Sequence, residues 1–113
     1  MKKQWDYETD FLVVGTGAAG LSAAVMAGRN GLRTIVIEST DKWGGTTAIS
    51  GGGLWMPNNP LMKEGNVHDS IEEALDYMNK TIGNVGPWTS EARKRAFLIG
   101  IDHYVKVLAE EGV

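Results

Sequence analysis

Apolar residues along this chain recur with two different periods, and the change from one to the other divides the sequence. Near the start, "DFLVVG" runs Phe11, Leu12, Val13 and Val14 without interruption into Gly15, and "RTIVIE" repeats the arrangement from Arg33 to Ile37. Short unbroken runs rich in β-branched residues predict strands buried on both faces, as in a parallel sheet. Between them, residues 17–30 are mostly small or helix-tolerant, and Gly31 offers a left-handed stop. Strand, helix and strand over residues 10–38 match the length of one right-handed βαβ unit, about thirty residues.

Further on, a helical period takes over. Ser70 and Glu73 form a capping box, and Ile71, Ala74, Leu75 and Met78 mark one apolar face of a helix over about 70–82 that ends near Gly83. After the turn-like "GNVGPW", a longer helix spans about 90–111, with Ala92, Ala96, Ile99 or Gly100, Val105 and Leu108 as its inner face and Gly112 as its cap. Between the two halves lies "KWGGTTAISGGGLWMPNN", residues 42–59, with neither period and five glycines in eighteen positions. With Pro57 and Pro60 it reads as one long connection, and connections of that length are usually functional or disordered.

These elements predict an α/β fold, a Rossmann-like βαβ unit with additional helices. Two parallel strands do not make a stable sheet, since each needs neighbours on both sides. The expectation is therefore an incomplete part of a larger doubly wound domain, residues 1–113 being its N-terminal part, either truncated or completed by a second polypeptide.

Composition narrows the partners. The chain has 113 residues, 42% hydrophobic and 22% charged, with net charge −3, as in an ordinary globular sequence of at most one domain. The 11 Lys and Arg are outnumbered by 14 Asp and Glu with no basic block, which argues against nucleic acid. Absence of cysteine removes disulfides and thiolate metal sites and permits a cytoplasmic setting, and the isolated His68 and His103 make no metal cluster. Lys2 and Lys3 resemble the start of a signal peptide, but polar and acidic residues follow where an apolar stretch is required, and no run approaches membrane-spanning length.

The chemistry is concentrated in glycine. "GTGAAG" sets Gly15, Gly17 and Gly20 in the G-x-G-x-x-G spacing: a tight turn, a close approach for pyrophosphate, and a close helix–strand contact. A bare hexapeptide of this kind marks only a turn, and a strand-end acid is usually just solvated. Here the pattern follows a strand, opens a helix and is answered by Glu38 at the end of the second strand, where a carboxylate accepts ribose hydroxyls. The same charge repels a 2′-phosphate, so FAD or NAD is favoured over NADP. The second segment, Gly44-Gly45-Thr46-Thr47 and Ser50-Gly51-Gly52-Gly53, exceeds what a nicotinamide-binding unit needs at this place. Its amides and hydroxyls suit a pyrophosphate and ribityl chain, and its glycines suit a flat ring.

"GTGAAGLSAA", "VIES" and "KWGGTTAISGGGLWMPNN" together resemble the N-terminal FAD segment of the fumarate reductase and succinate dehydrogenase flavoprotein superfamily. Within it the likeness is to the 3-ketosteroid dehydrogenases, and it rests on Trp43 and "GLWMPNN"; dicarboxylate reductases tend to carry Asn at the position of Thr46. The resemblance implies FAD as cofactor and the following site. Gly15, Thr16, Gly17, Ala18, Ala19 and Gly20 line the pyrophosphate; Glu38, with Ser39 and Lys42 beside it, holds the adenosine ribose. Gly44, Gly45, Thr46 and Thr47 hold phosphates and ribityl chain, while Ser50, Gly51, Gly52 and Gly53 lie near the isoalloxazine.

It also implies a steroid-like small-molecule substrate, from which a tyrosine takes a proton and flavin N5 a hydride while donors polarise the ketone. Tyr7, Tyr77 and Tyr104 sit in no matching motif and read as packing or surface residues, as do His68 and His103, so the 113 residues alone are expected to be inactive. Trp55 has two readings, the border of a substrate cavity or, like most large apolar side chains, core. Two further functions stay open: a flavoprotein acting on another enoate or a dicarboxylate, and a non-catalytic binding or oligomerising module.

Overall fold

The structure, a computed structural model, describes residues 4–113; Lys2 and Lys3 of the start lie outside them. Contacts divide the chain into two units, one ending at Gly53 and the other Leu54–Val113. In the first, β1 (Phe11–Val14), α1 (Ala18–Arg29) and β2 (Thr34–Ile37) form the βαβ unit, followed by a short 3-10 helix, Gly45–Ile49. The second holds α2 (Pro60–Glu64), α3 (Ile71–Thr81), a 3-10 turn Pro87–Thr89 and α4 (Glu91–Glu110).

β1 and β2 pair in parallel, with Phe11 opposite Thr34 and Val14 opposite Ile37. An exposed ion pair stands at one end of this ladder: Asp10 accepts from the Arg33 guanidinium at both carboxylate oxygens, 3.0 Å each, and from the Arg33 amide at 3.0 Å. The two-pronged contact fixes direction as well as distance. α1 packs on both strands and ends in a Schellman turn at Gly31 (φ +75°), where the Leu32 amide reaches back to the Ala27 carbonyl at 3.1 Å. Burial of the strands on both faces is not met: Val13 is buried, but Leu12 and Val14 are exposed. Among the described residues of this unit, one α-helix packs on a two-stranded sheet.

In the second unit Ala74, Leu75 and Met78 of α3 pack on Leu98 and Ile101 of α4, with Met56, Ile71 and Val105 at the margin. The Ser70 hydroxyl accepts from the Glu73 amide at 3.1 Å and donates to the Glu73 carboxylate at 3.2 Å. The Ser70 amide, which a capping box would give to Glu73, goes instead to Asp69 Oδ1 at 2.8 Å. α2 lies where only a loop is expected from the prolines. Asn59 caps it by accepting from the Met62 amide at 3.1 Å, and Pro60 stands in the first turn, so the Asn-Pro pair is a helix start.

The inner face of α4 also departs from expectation. Ala92, Ala96, Ile99 and Gly100 are exposed; Lys94, Leu98, Ile101 and Val107 are buried, and the first three form a stripe that the half-buried Val105 and Leu108 continue. That stripe has alternating four- and three-residue steps, but its first member is a lysine, which sequence reasoning places in solvent. Lys94 is buried because its Nζ donates to Asn79 Oδ1 at 2.9 Å and to the Gly83 carbonyl at 2.7 Å, closing the C-terminal end of α3. Lys94→Ala is expected to lower the unfolding free energy by about 2 kcal/mol, because it strands a carbonyl and a side-chain amide. Arg95→Ala, which loses only an exposed pair with Glu91, should cost less than about 0.5 kcal/mol. Urea unfolding of both variants checks this, and equal effects would contradict the phase of the helix.

Candidate functional site

Gly15 leaves β1 with φ +94°, a left-handed backbone that disfavours any side chain, while its amide donates to the Ile37 carbonyl at 2.7 Å. The chain thereby turns straight from β1 into α1. Gly20, one turn into the helix, lies so close beneath that a Cβ there would stand 2.1 Å from the Gly15 carbonyl oxygen. Gly17 is the N-cap and has no side chain to cap with. The first helical amide, of Ala18, finds its acceptor elsewhere, in the Thr47 hydroxyl at 3.1 Å. The Ala19 and Gly20 amides have no acceptor inside the helix, because first-turn N–H groups never do. No acidic side chain stands in that turn. The result is an anion-accepting helix end with its donors exposed at a glycine edge.

The second glycine segment is built onto the first. Gly44 (φ +105°) and Gly45 (φ +53°) both take left-handed backbone, and a Cβ on Gly45 would lie 3.5 Å from Gly17 Cα. Between the two segments sits Thr16, buried at 7% exposure. Its hydroxyl accepts from the Gly44 amide at 2.8 Å and donates to Glu38 Oε2, to which its own amide also donates at 3.0 Å. Glu38 Oε1 accepts from the Ser39 amide at 2.7 Å, the Ser39 hydroxyl at 3.1 Å and the Thr40 amide at 3.2 Å. These donors, Thr16 foremost and Ser39 next, hold the Glu38 carboxyl down at about 2 from an ordinary 4.5.

Thus Gly15, Thr16, Gly17, Ala18, Glu38, Ser39, Gly44, Gly45 and Thr47 come together, with Ala19 and Gly20 on the adjoining helix turn. Lys42 is exposed and enters the turn through its backbone, its carbonyl accepting from the Thr40 hydroxyl at 2.7 Å. Thr46 is exposed on the 3-10 helix; Ser50 ends it, donating to the Thr47 carbonyl at 2.9 Å and accepting from the Gly52 amide at 3.2 Å. A Cβ on Gly51, Gly52 or Gly53 would meet nothing within 4 Å, so these glycines lie open. Thr40, which the sequence pattern does not single out, joins this set through its amide; the one signal for it is the hydroxyl pair Ser-Thr directly after a strand-end acid. The donor set fits a dinucleotide: helix-end amides for a pyrophosphate, a carboxylate held on the adjoining Thr16 for ribose hydroxyls, and glycine backbone between.

In the second unit Trp55 is 49% exposed, so it is not core. It stacks on Phe97 with centroids 6.1 Å apart, meets Tyr77 at 5.4 Å, and borders an open cavity of about 360 Å³ with Pro57, His68, Asp69 and Glu73. His68 and His103 are exposed. Among the described residues no group of three potential metal ligands occurs, and no helix is long and apolar enough to cross a membrane.

Two outcomes test this geometry. Gly20→Ala must push the helix off the turn, and the variant is expected to lose several degrees of melting temperature, whereas Gly28→Ala, where a Cβ meets nothing, should leave it unchanged or slightly raised. The Glu38 carboxyl titrates lower folded than unfolded, so its contribution is complete above about 4.5 and disappears as pH falls toward about 2. The acid limb of a stability-against-pH curve should therefore be shallower in Glu38→Gln than in the wild type.

Comparison with known proteins agrees with the donor set. The chain matches the FAD binding domain family over residues 10–110. It is 49% identical over 80 residues to a 3-oxosteroid 1-dehydrogenase of Mycolicibacterium smegmatis, a match covering 71% of this chain and 14% of that protein. A crystal structure of 3-ketosteroid-Δ4-(5α)-dehydrogenase from Rhodococcus jostii, in complex with 4-androstene-3,17-dione, aligns with TM-score 0.82 and 34% identity over 99% of this chain and 23% of that one. The 3-ketosteroid Δ1-dehydrogenase of Sterolibacterium denitrificans, in complex with 1,4-androstadiene-3,17-dione, aligns with TM-score 0.75 and 39% identity over 87% of this chain and 16% of that one. The chain thus spans about one-seventh of the curated relative's length. It belongs to the FAD binding domain family, and its cofactor is FAD.

Proposed function

We propose that these residues are the FAD-holding part of an enzyme that dehydrogenates ring carbons beside the ketone of a 3-oxosteroid. The observation that carries this reading is the joint likeness, in sequence and in backbone, to steroid dehydrogenases across both glycine segments. The first-turn amides of α1, with Gly15, Thr16, Gly17, Ala18, Ala19 and Gly20 around them, hold the pyrophosphate. Glu38, flanked by Ser39 and Lys42, takes the adenosine ribose. Gly44, Gly45, Thr46 and Thr47 position the phosphates and ribityl chain, and Ser50, Gly51, Gly52 and Gly53 lie along the flavin ring, where absent side chains leave it space.

When bound, FAD would supply the two-electron acceptor that desaturation requires, and a protein base would take the proton. This chain's own contribution is to hold and orient. The α1 dipole opposes the charge of the phosphates, and the glycine backbone excludes water from one side of them without bulk. The same reading places the protein in the cytoplasm, a setting compatible with a chain that contains no cysteine, and assigns the remainder of the domain to further polypeptide.

The flavoprotein carrying these residues should bleach its flavin band under anaerobic 4-androstene-3,17-dione and, with an artificial acceptor, release the 1,4-diene. Formation of a 4-ene from a ring-saturated 3-oxosteroid would instead place the desaturation at C4–C5. A flavin that steroids leave oxidised, but that passes electrons to an unsaturated carboxylate once reduced, would contradict the steroid assignment and support the enoate alternative.

A further inference from the structure

Glu38 is already saturated. Its two oxygens accept five hydrogen bonds from Thr16, Ser39 and Thr40, whereas a carboxylate offers about four lone-pair sites. A ribose hydroxyl therefore enters only where a donor leaves easily. The two oxygens differ in this respect. The donors on Oε1 belong to the exposed Ser39 and Thr40, and water replaces the carboxylate for them at little cost. Those on Oε2 belong to Thr16, 7% exposed, whose hydroxyl is bound at the same time by the buried Gly44 amide at 2.8 Å. Releasing that hydroxyl would leave polar groups unpaired away from water.

We propose that Thr16 is a positioning residue which anchors Glu38 Oε2, leaves Oε1 as the oxygen that exchanges its donors for the ribose, and couples sugar recognition to the placement of the Gly44–Thr47 turn. The hydroxyl suits this role because it donates once and accepts from a second segment at the same time, so the acid and the turn share one fixed point. The ligand in this inference rests on the FAD reading of the site, whereas the clasp rests on geometry within the chain.

The test uses flavin-stripped protein, wild type, Thr16→Ser and Thr16→Val, with amide hydrogen exchange at Gly44 and calorimetric titration of FAD and of ADP. Wild type and Thr16→Ser should protect the Gly44 amide. Thr16→Val should raise its exchange and weaken both ligands by about tenfold. Combined with Glu38→Gln, the valine variant should lose less affinity than the product of the two single losses, since both remove one interaction. Unchanged Gly44 protection, or losses that multiply independently, would overturn the proposal. Should Thr16→Val not fold, wild type decides: a Gly44 amide exchanging at the rate of an unstructured one overturns the clasp. Protein that protects Gly44 but takes up neither ligand refutes the FAD reading and with it the ribose half of the inference. Equal FAD affinity in all three forms refutes the role of Thr16 and leaves the flavin reading intact.

Discussion

One buried hydroxyl holds the cofactor half of this chain together. Thr16 stands where β1 gives way to α1, and its side chain is committed in two directions, to Glu38 at the end of β2 and to the Gly44 amide of the second glycine segment. A buried polar group must be partnered, and here the partners are distant in sequence, so satisfying one hydroxyl draws three segments to one point. The placement of the second glycine segment against the first goes with that convergence. The Gly44–Thr47 turn comes near enough for Thr47 to cap α1 in place of the glycine that cannot. Because Thr47 takes only the Ala18 amide, the next two amides stay available for an anion.

The glycines serve distinct ends. Gly15 is needed for its backbone angle, Gly20 because the Gly15 carbonyl occupies the place of a side chain, and Gly44 for its backbone angle and because a Cβ would stand 2.6 Å from Ala48 Cβ. Gly51, Gly52 and Gly53 answer to no contact within the chain. Their open side is what a flat ring laid against the backbone would use. The second unit follows other rules: a stripe of apolar residues on α3 and α4, and one lysine turned inward to close a helix end.

The βαβ unit and its motif were legible because they are local. Strand runs, the glycine spacing and a strand-end acid all lie within residues 10–38, and their periods and distances are written in the sequence. The Schellman stops at Gly31 and Gly112 were legible for the same reason. What escaped depended on partners far along the chain. Lys94 hides the buried stripe of α4 because its acceptors lie elsewhere, Asn79 on α3 and Gly83 just past the end of that helix. Asn59 and Pro60 read as loop residues in the sequence, since both types serve turns and helix starts alike. Thr16 was legible as part of the motif, but its tie to Gly44 spans 28 residues and has no local signature.

The central claim is that the α1 helix end and the Gly44–Thr47 turn form one cradle for the FAD phosphates. Backbone amide chemical shifts followed during titration of FAD into the flavin-stripped protein test it most directly. The account predicts the largest shifts at Gly17, Ala19 and Gly20, with Gly45 and Thr47 moving in the same titration step and with the same midpoint. Shifts confined to other residues, or two glycine segments responding at separate midpoints, would contradict it.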